Sequence, residues 1–316
     1  MKKVYLNRKP VEGPWGGGNK SVKLLVKMIE EDSELKLTYD LKEEDVDVIL
    51  CIDPKPDSKG IWYQDFLNYK KTKNSNVKII QRVGDLGTHR SQEITKLVYD
   101  TIHASDHVIF PSDWARKAIN FQKKNYSIIL NQPLLAFYYN AEDKKELIQK
   151  SKTRLVTHHW SNNPKKGFEI YSKIGAAIKE KTEGYENIEF SYIGRWNKDF
   201  SSEGIKLVEP IGAKEIAAEL IKHDVYITAS ILEAGANHVL EAMACNLPVL
   251  YRQGGGSIDE YCSLYGISYM GFEDLLEGIH YMKKNYAFHK ESVEKRPQIS
   301  LENQIKRYIE IIKSFA

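Results

Sequence analysis

The stretch Asp224 to Tyr261, DVYITASILEAGANHVLEAMACNLPVLYRQGGGSIDEY, constrains the fold more than any other. Val225 to Ala229 is apolar and partly β-branched, the composition of a short strand. Ser230 to Gly235 follows as a turn. A helix then starts near Ala236 or Asn237 and buries Val239, Leu240 and Met243. Asn246 ends it, as the residue second only to glycine at a left-handed C′ position. Leu247 to Tyr251 is the next strand, and Gly254, Gly255 and Gly256 form a glycine-rich turn. Two acids stand at special places in this strand–turn–helix–strand unit: Glu233 in the turn, and Glu241 one helical turn beyond Asn237.

That arrangement suits a nucleoside diphosphate. A helix N-terminus offers unpaired N–H groups and a partial positive charge to an anion. Gly235 and Ala236 leave its approach open. A carboxylate one turn into the helix can accept hydrogen bonds from a ribose diol, and one in the turn can do the same for a sugar. A surface glutamate beside a glycine-rich loop is the plainer reading of either acid alone; the whole arrangement argues for the ligand.

The block EAGANHVLEAMACNLPVL resembles the Glu-x7-Glu signature of retaining GT-B glycosyltransferases of the family 4 type (group 1), and GGSIDEY resembles the turn that follows it there. The resemblance implies that Glu233 contacts the donor sugar and Glu241 the ribose, with Gly235, Ala236, Asn237 and His238 around the donor. Phe-Gly, which commonly follows the first Glu in the family, is replaced here by Gly235-Ala236-Asn237-His238.

Composition agrees with a globular enzyme. The 316 residues are 42% hydrophobic and 28% charged, and length alone predicts two domains. A net charge of +3 does not argue for nucleic acid. Cys51, Cys245 and Cys262 are odd in number and lack paired or metal-ligand spacing, so neither a structural disulfide nor a metal site is expected. The start, MKKVYLNRKP, has no apolar core of a signal peptide. No run approaches the ~18 apolar residues of a membrane span. A cytoplasmic protein is expected, with any membrane contact peripheral, at the inner face.

In chain order, Val4–Leu6 reads as a strand. The loop VEGPWGGG follows, with Asn19 as N-cap of a helix burying Val22, Leu25, Val26 and Ile29. The resemblance sets this loop, with Trp15, Gly17 and Gly18, beside the acceptor and the donor phosphates. Gly13–Ser21 also approaches a phosphate loop, with Asp53 as the acidic strand end, but Asn19 interrupts the G-x-x-x-x-G-K-[ST] spacing. Val46–Ile52 is a buried strand. Pro54–Asn76 carries Trp62, Tyr63, Phe66 and Tyr69, which read either as a satellite core, the favoured reading, or as part of an acceptor platform. Val77–Ile80 is a strand whose carboxyl end carries Arg82-Val-Gly84-Asp85-Leu-Gly-Thr-His89, a place where α/β sheets bind ligands. The family often has a His near Gly84; here Asp85 and His89 are the acceptor-pocket candidates. Gln92–Ala104 is a helix, His107–Phe110 a strand, and Ser112 caps the next helix. His103 and His107 read as structural. Ile128–Leu130 is a strand before a charged connection, Glu142–Lys152.

Arg154–Thr157 opens the second half. Its end, T-H-H-W-S-N-N-P-K-K-G-F, resembles the family's G-R-x-x-x-x-K-G turn, which makes Lys166 a diphosphate ligand. His158, His159 and Trp160 stand near the place of the missing arginine, with His159 toward the donor. Ile188–Ile193 is a strand followed by Arg195, a candidate second positive charge. The last helix, capped by Ser300, carries an apolar stripe from Leu301 to Ile312.

These readings predict an α/β protein of GT-B type: two doubly wound Rossmann-like domains facing a central cleft, residues 1–148 with a returning helix 300–316, and residues 152–299. The expected activity is transfer of a sugar, of hexosyl type, from a nucleotide-diphosphate donor to a glycan or lipid-linked hydroxyl, retaining and metal-independent, with no resident cofactor. Lys166, Glu233, Asp85 and Arg195 are the expected catalytic residues. The rival readings are a phosphate-loop NTPase and a nucleotide-sugar-binding protein without turnover.

Overall fold

The computed structural model describes residues 1–13, 17–89, 92–139 and 152–315, with the side chain of residue 139 left aside. Trp15 and most of the Glu142–Lys152 connection lie outside the described residues. The chain divides into two compact units, Met1–Asn131 with Leu301–Ala316, and Gln132–Ser300.

The first unit alternates strands and helices: β1 (Lys2–Leu6), α1 (Gly17–Glu30), β2 (Leu35–Thr38), β3 (Val48–Cys51), α2 (Tyr63–Thr72), β4 (Lys78–Arg82), α3 (Gln92–Ala104), β5 (His107–Phe110), α4 (Asp113–Ala118) and β6 (Tyr126–Ile128). Its strands form one parallel sheet in the order β2-β1-β3-β4-β5-β6. The order reverses between β1 and β3, which makes the carboxyl ends of β1, β3 and β4 the natural ligand side. β3 is buried on both faces and reads Val-Ile-Leu-Cys, as a central parallel strand must. Tyr63, Phe66 and Tyr69 recur every three residues, so helix α2 buries them together against Tyr5 and Ile49. They are core.

Helix α1 starts two residues before Asn19, so Asn19 is not its N-cap. The side-chain amide instead bonds both the N–H and the C=O of Val11, each at 2.8 Å, and closes the loop before the helix. Ser112 does cap α4, accepting the Ala115 N–H at 3.0 Å. The terminal helix α12 (Leu301–Ser314) belongs to this unit. It buries Leu301, Ile305, Tyr308, Ile309 and Ile312, and Lys313 pairs with Asp32 and Glu34.

The second unit contains α5 (Ala136–Tyr139), β7 (Thr153–His159), α6 (Phe168–Lys179), β8 (Ile188–Gly194), β9 (Lys206–Val208), α7 (Ala213–Leu220), β10 (Val225–Thr228), α8 (Asn237–Ala244), β11 (Val249–Arg252), α9 (Ser257–Cys262), β12 (Gly266–Tyr269), α10 (Phe272–Lys284) and α11 (Tyr286–Glu294). Its parallel sheet runs β12-β11-β10-β7-β8-β9. Apolar clusters cover both faces: one includes α8 and α7, the other α6 and α10. Residues before β7 already belong here. Phe137 and Tyr138 are in the α8-side core, Phe137 C=O accepts from Cys245 Sγ, and Tyr138 donates to Ile299 O. The division at Asn131 therefore precedes the limit of 148 expected from the charged connection. The three cysteines are buried free thiols. Among the described residues, no helix is long and apolar enough to cross a membrane.

Candidate active site

The second sheet reverses order between β7 and β10, and ligands of doubly wound sheets bind beyond the carboxyl strand ends at such a point. β7 ends in Thr157-His158-His159 and β10 in Thr228. The sequence reading ended the β7 strand at Thr157. In the structure His158 and His159 continue it, paired with Ile193 and Gly194 of β8.

Gly167 sets the position of Lys166. Its φ is +95°, and a Cβ there would collide with Ala229, whose carbonyl oxygen would be 2.7 Å away. Glycine alone lets the 3₁₀ turn Pro164–Lys166 lie against the end of β10. The two loops are then stitched together. Ile231 N–H donates to Lys165 O at 3.0 Å, and Ser230 Oγ donates to the same carbonyl at 3.4 Å. Lys166 Nζ meets Glu233 Oε1 at 2.5 Å, and the Ser230 hydroxyl donates to that same oxygen.

The backbone before Glu233 is unusual: Leu232 has φ +56°. A bulky residue in that region costs roughly 1–3 kcal/mol and persists only where its surroundings hold it there. The glycine-rich turn does so. Leu232 N–H donates to Gly254 O, Glu233 N–H to Gly255 O, and Ser257 N–H to Glu233 O, at 3.0, 3.0 and 2.9 Å.

Gly235 and Ala236 lead into α8, with Asn237 first in the helix. Ala236 is the N-cap and makes no side-chain capping bond; its own N–H is taken by Ser257 Oγ at 2.9 Å. The first-turn N–H groups of Asn237 and its neighbours thus receive no N-cap bond and retain their attraction for an anion. Glu241, 5% exposed, lies further along α8. Its Oε2 is 2.8 Å from His158 Nε2, while the Tyr226 hydroxyl is 3.1 Å from His158 Nδ1. With Tyr226 donating to Nδ1, Nε2–H donates to Glu241, so strand β7 fixes the carboxylate's direction.

His238 sits between these groups. Its ring is 4.7 Å from that of His159 and 6.3 Å from that of His158, and Nε2 is 3.1 Å from Thr228 Oγ1. Burial pushes its pKa down to about 3; Glu233 and Glu241 act upward on it, Lys166 and His158 downward. It is a neutral imidazole at neutral pH. His159 is buried beside Tyr171, whose hydroxyl is 3.0 Å from Nε2 and also accepts the Ala229 N–H at 2.9 Å. Lys166, Glu233, His159, His238 and Glu241 are therefore brought together. Arg195 adjoins them, its N–H donating to His159 O at 3.3 Å, with its exposed guanidinium 3.9 Å from the Trp160 ring centre. Sequence reasoning set His158 near the missing arginine without giving it a role, and missed Ser230 and Tyr171. The paired histidines at a strand end were a usable signal for the first; the other two arrive through long-range packing.

In the first unit a cavity of about 420 Å³ opens at the β1/β3 reversal. Gly18, Gly84, Arg82 and Asp85 line it. The Asp85 carboxylate accepts the Gly87 N–H at 2.8 Å. Gly17 begins α1 one residue before the lining, and His89 is outside it. Asp53 is paired with Lys55 at 3.3 Å and Arg8 at 3.7 Å. One Asp-x-Asp triplet exists, Asp45-Val46-Asp47, but it lies at the amino end of β3. Lys3 holds both acids there, through Nζ to Asp45 at 2.5 Å and through its N–H to Asp47 at 2.7 Å. Among the described residues no group of His, Cys, Asp and Glu is arranged as a metal site.

No protein-family model matches the sequence, and no curated protein matches it. Solved structures do. Sucrose-phosphate synthase from Thermosynechococcus elongatus superposes with TM-score 0.69 at 12% identity over 99% of each chain. HepE from Anabaena, solved with UDP-glucose, gives 0.71 at 12% identity over 99% of this chain and 100% of its own. WaaG, a glycosyltransferase involved in lipopolysaccharide biosynthesis, gives 0.67 at 12% identity over 99% of each chain. The fold is thus the α/β GT-B fold of these glycosyltransferases.

Proposed function

We propose that the protein is a glycosyltransferase that moves a sugar from a nucleotide-diphosphate donor to a hydroxyl acceptor. The observation that carries this reading is the convergence, at the β7/β10 reversal, of Lys166–Glu233 and His158–Glu241 on the uncapped N-terminus of α8. The donor diphosphate sits at that helix end, where N–H groups and the helix dipole favour negative charge. Glu241 accepts from the ribose and Glu233 from the sugar. HepE was solved with UDP and with UDP-glucose, so a uridine nucleotide is the first donor to try.

In the reaction the bond between the anomeric carbon and the diphosphate oxygen breaks, and a bond to the acceptor oxygen forms. As the leaving diphosphate gains negative charge, it takes up the acceptor hydroxyl's proton on the same face. Lys166 is the cation placed to meet that charge, since His238 stays neutral. A donor of this kind is worth about 3 kcal/mol of barrier. In the resting protein Glu233 holds Lys166 in place; the diphosphate then competes for its ammonium. The retaining course, with the acceptor entering on the face the diphosphate leaves, belongs to the same proposal, as do turnover without a metal or resident cofactor and an acceptor pocket at Asp85 in the first unit. The phosphate-loop reading is not favoured, because Asp53 is committed to Arg8 and Lys55.

The test is donor turnover. Incubation with a panel of nucleotide sugars, without and with simple glycan acceptors, should release a nucleoside diphosphate from one of them, and Lys166→Ala should release far less. A variant that matches the wild-type rate would remove Lys166 from its role.

A further inference from the structure

Arg82 ends β4 and lines the first-unit cavity, yet it is only 8% exposed. Among the described residues its guanidinium has no hydrogen bond and no carboxylate within ion-pair distance. None of its nitrogens is a fully enclosed polar atom without a hydrogen bond, so the guanidinium keeps contact with the open cavity and presents its unpaired charge there. The two acids of the same lining do not help. Asp53 is taken by Arg8 and Lys55, and Asp85 is turned onto the Gly87 N–H.

Gly84 explains how Arg82 is accommodated. A Cβ built at Gly84 would overlap Arg82 Nη1, and the backbone there would otherwise accept a side chain. The guanidinium occupies the room that a residue 84 side chain would take. Around it stand Lys9, whose Nζ lies over the Tyr39 ring, and the first turn of the 14-residue helix α1 through Gly18 and Asn19. Four cationic side chains and two acidic ones line the cavity.

We infer that this cavity is an oxyanion site anchored by Arg82, and that its ligand carries a phosphate or carboxylate group. A planar guanidinium binds either group with two parallel hydrogen bonds. Naming that ligand the sugar acceptor rests on the glycosyl-transfer reading; anion binding itself does not. An acceptor of this class bears its oxyanion in addition to the hydroxyl that is glycosylated, as a sugar phosphate, a phosphate-linked lipid or a uronic acid does.

The experiment reads binding rather than turnover, so it fails independently of the transfer reaction. Phosphorus NMR line broadening of inorganic phosphate, and proton saturation transfer to glucuronate with glucose as the neutral control, are recorded on the full chain at constant ionic strength. The wild type is expected to bind phosphate, glucuronate or both, and to leave glucose untouched. Phosphate alone identifies a phosphoryl acceptor, and glucuronate a carboxylate. Arg82→Gln should weaken the bound anion by about tenfold or more, the usual loss for a charge-assisted pair, whereas anion binding that Lys166→Ala loses and Arg82→Gln keeps belongs to the α8 site of the other unit and overturns the proposal. Gly84→Ala, which must push the guanidinium aside, should weaken anion binding as well, and decides the question alone if Arg82→Gln does not fold. Wild-type indifference to both anions, or unchanged binding in the Arg82 and Gly84 variants, overturns the proposal.

Discussion

The α8 cluster and the first-unit cavity occupy equivalent places, each at the reversal point of a parallel sheet, but they handle charge in opposite ways. In the cluster, Lys166 meets Glu233, His158 meets Glu241, and the buried His238 ring is neutral. In the cavity, cations outnumber acids and Arg82 has no partner among the described residues. The cluster fixes its groups in direction before any ligand arrives, which suits a transition state that needs oriented donors. The cavity leaves a charge waiting for its counter-ion, which suits recognition of a ligand group. A buried charge with a partner is a positioning device; a charge that faces a cavity without one points to a ligand.

Breaking the cluster should have the largest effect. Lys166→Ala is expected to lower kcat about 100- to 1,000-fold, the usual loss of one preorganised donor, measured as nucleoside diphosphate released at saturating donor. The cavity's anion binding should survive in the same variant.

A conformational break comes next. Gly167→Ala should destabilise the second unit by about 3 kcal/mol, from the positive φ and the collision with Ala229. It should also lower turnover, because the Lys166 turn can no longer lie against β10. Urea unfolding followed by circular dichroism checks the first effect. If stability and rate are both unchanged, the stitching of those loops is not what places Lys166.

Acid should act on the cluster through His238. The pKa of His238 is about 3 in the folded chain and about 6.5 when unfolded. The unfolded state therefore binds the proton first. The stability owed to neutral His238 is full above pH 6.5 and is lost as pH falls from there toward 3, by at most about 1.4 kcal/mol per pH unit. His238→Gln should remove that one-proton share of the slope between pH 6.5 and 4.5 in urea titrations. An unchanged slope would show that the ring is not buried neutral.

The smallest effect concerns the far end of α8. Asn246 has φ +57°, so Asn246→Ala should cost about 1 kcal/mol while Asn246→Gly is neutral or stabilising.

That left-handed asparagine was readable from sequence, because its place follows from where an apolar helical stripe stops. The same is true of α3, β5, the cap at Ser112 and the strand–turn–helix of β10 and α8, where pattern and local chemistry agree. Strands β2, β9 and β12 went unread. All three are short edge strands, and β9 has no buried residue to leave an apolar signature. Helix α2 was hidden because only its aromatic residues face inward while the rest of the segment is polar. At the site, Glu233, Glu241 and Lys166 stand out because each is a charged residue at a strand end, a turn or a helix start. Their partners do not. Ser230 and Tyr171 acquire meaning only through packing, and Arg82 only through the side chain that Gly84 lacks.

The central claim is that the second unit grips a nucleoside diphosphate at the N-terminus of α8, with Glu241 as one of the holding groups. Calorimetric titration of a panel of nucleoside diphosphates into the wild-type chain and into Glu241→Ala tests it most directly. The account predicts that at least one nucleotide binds the wild type and that Glu241→Ala binds it about tenfold or more weakly, the loss expected when a carboxylate's hydrogen bonds to a diol are removed. Equal affinity in the two chains, or no binding of any nucleotide by the wild type, would contradict it.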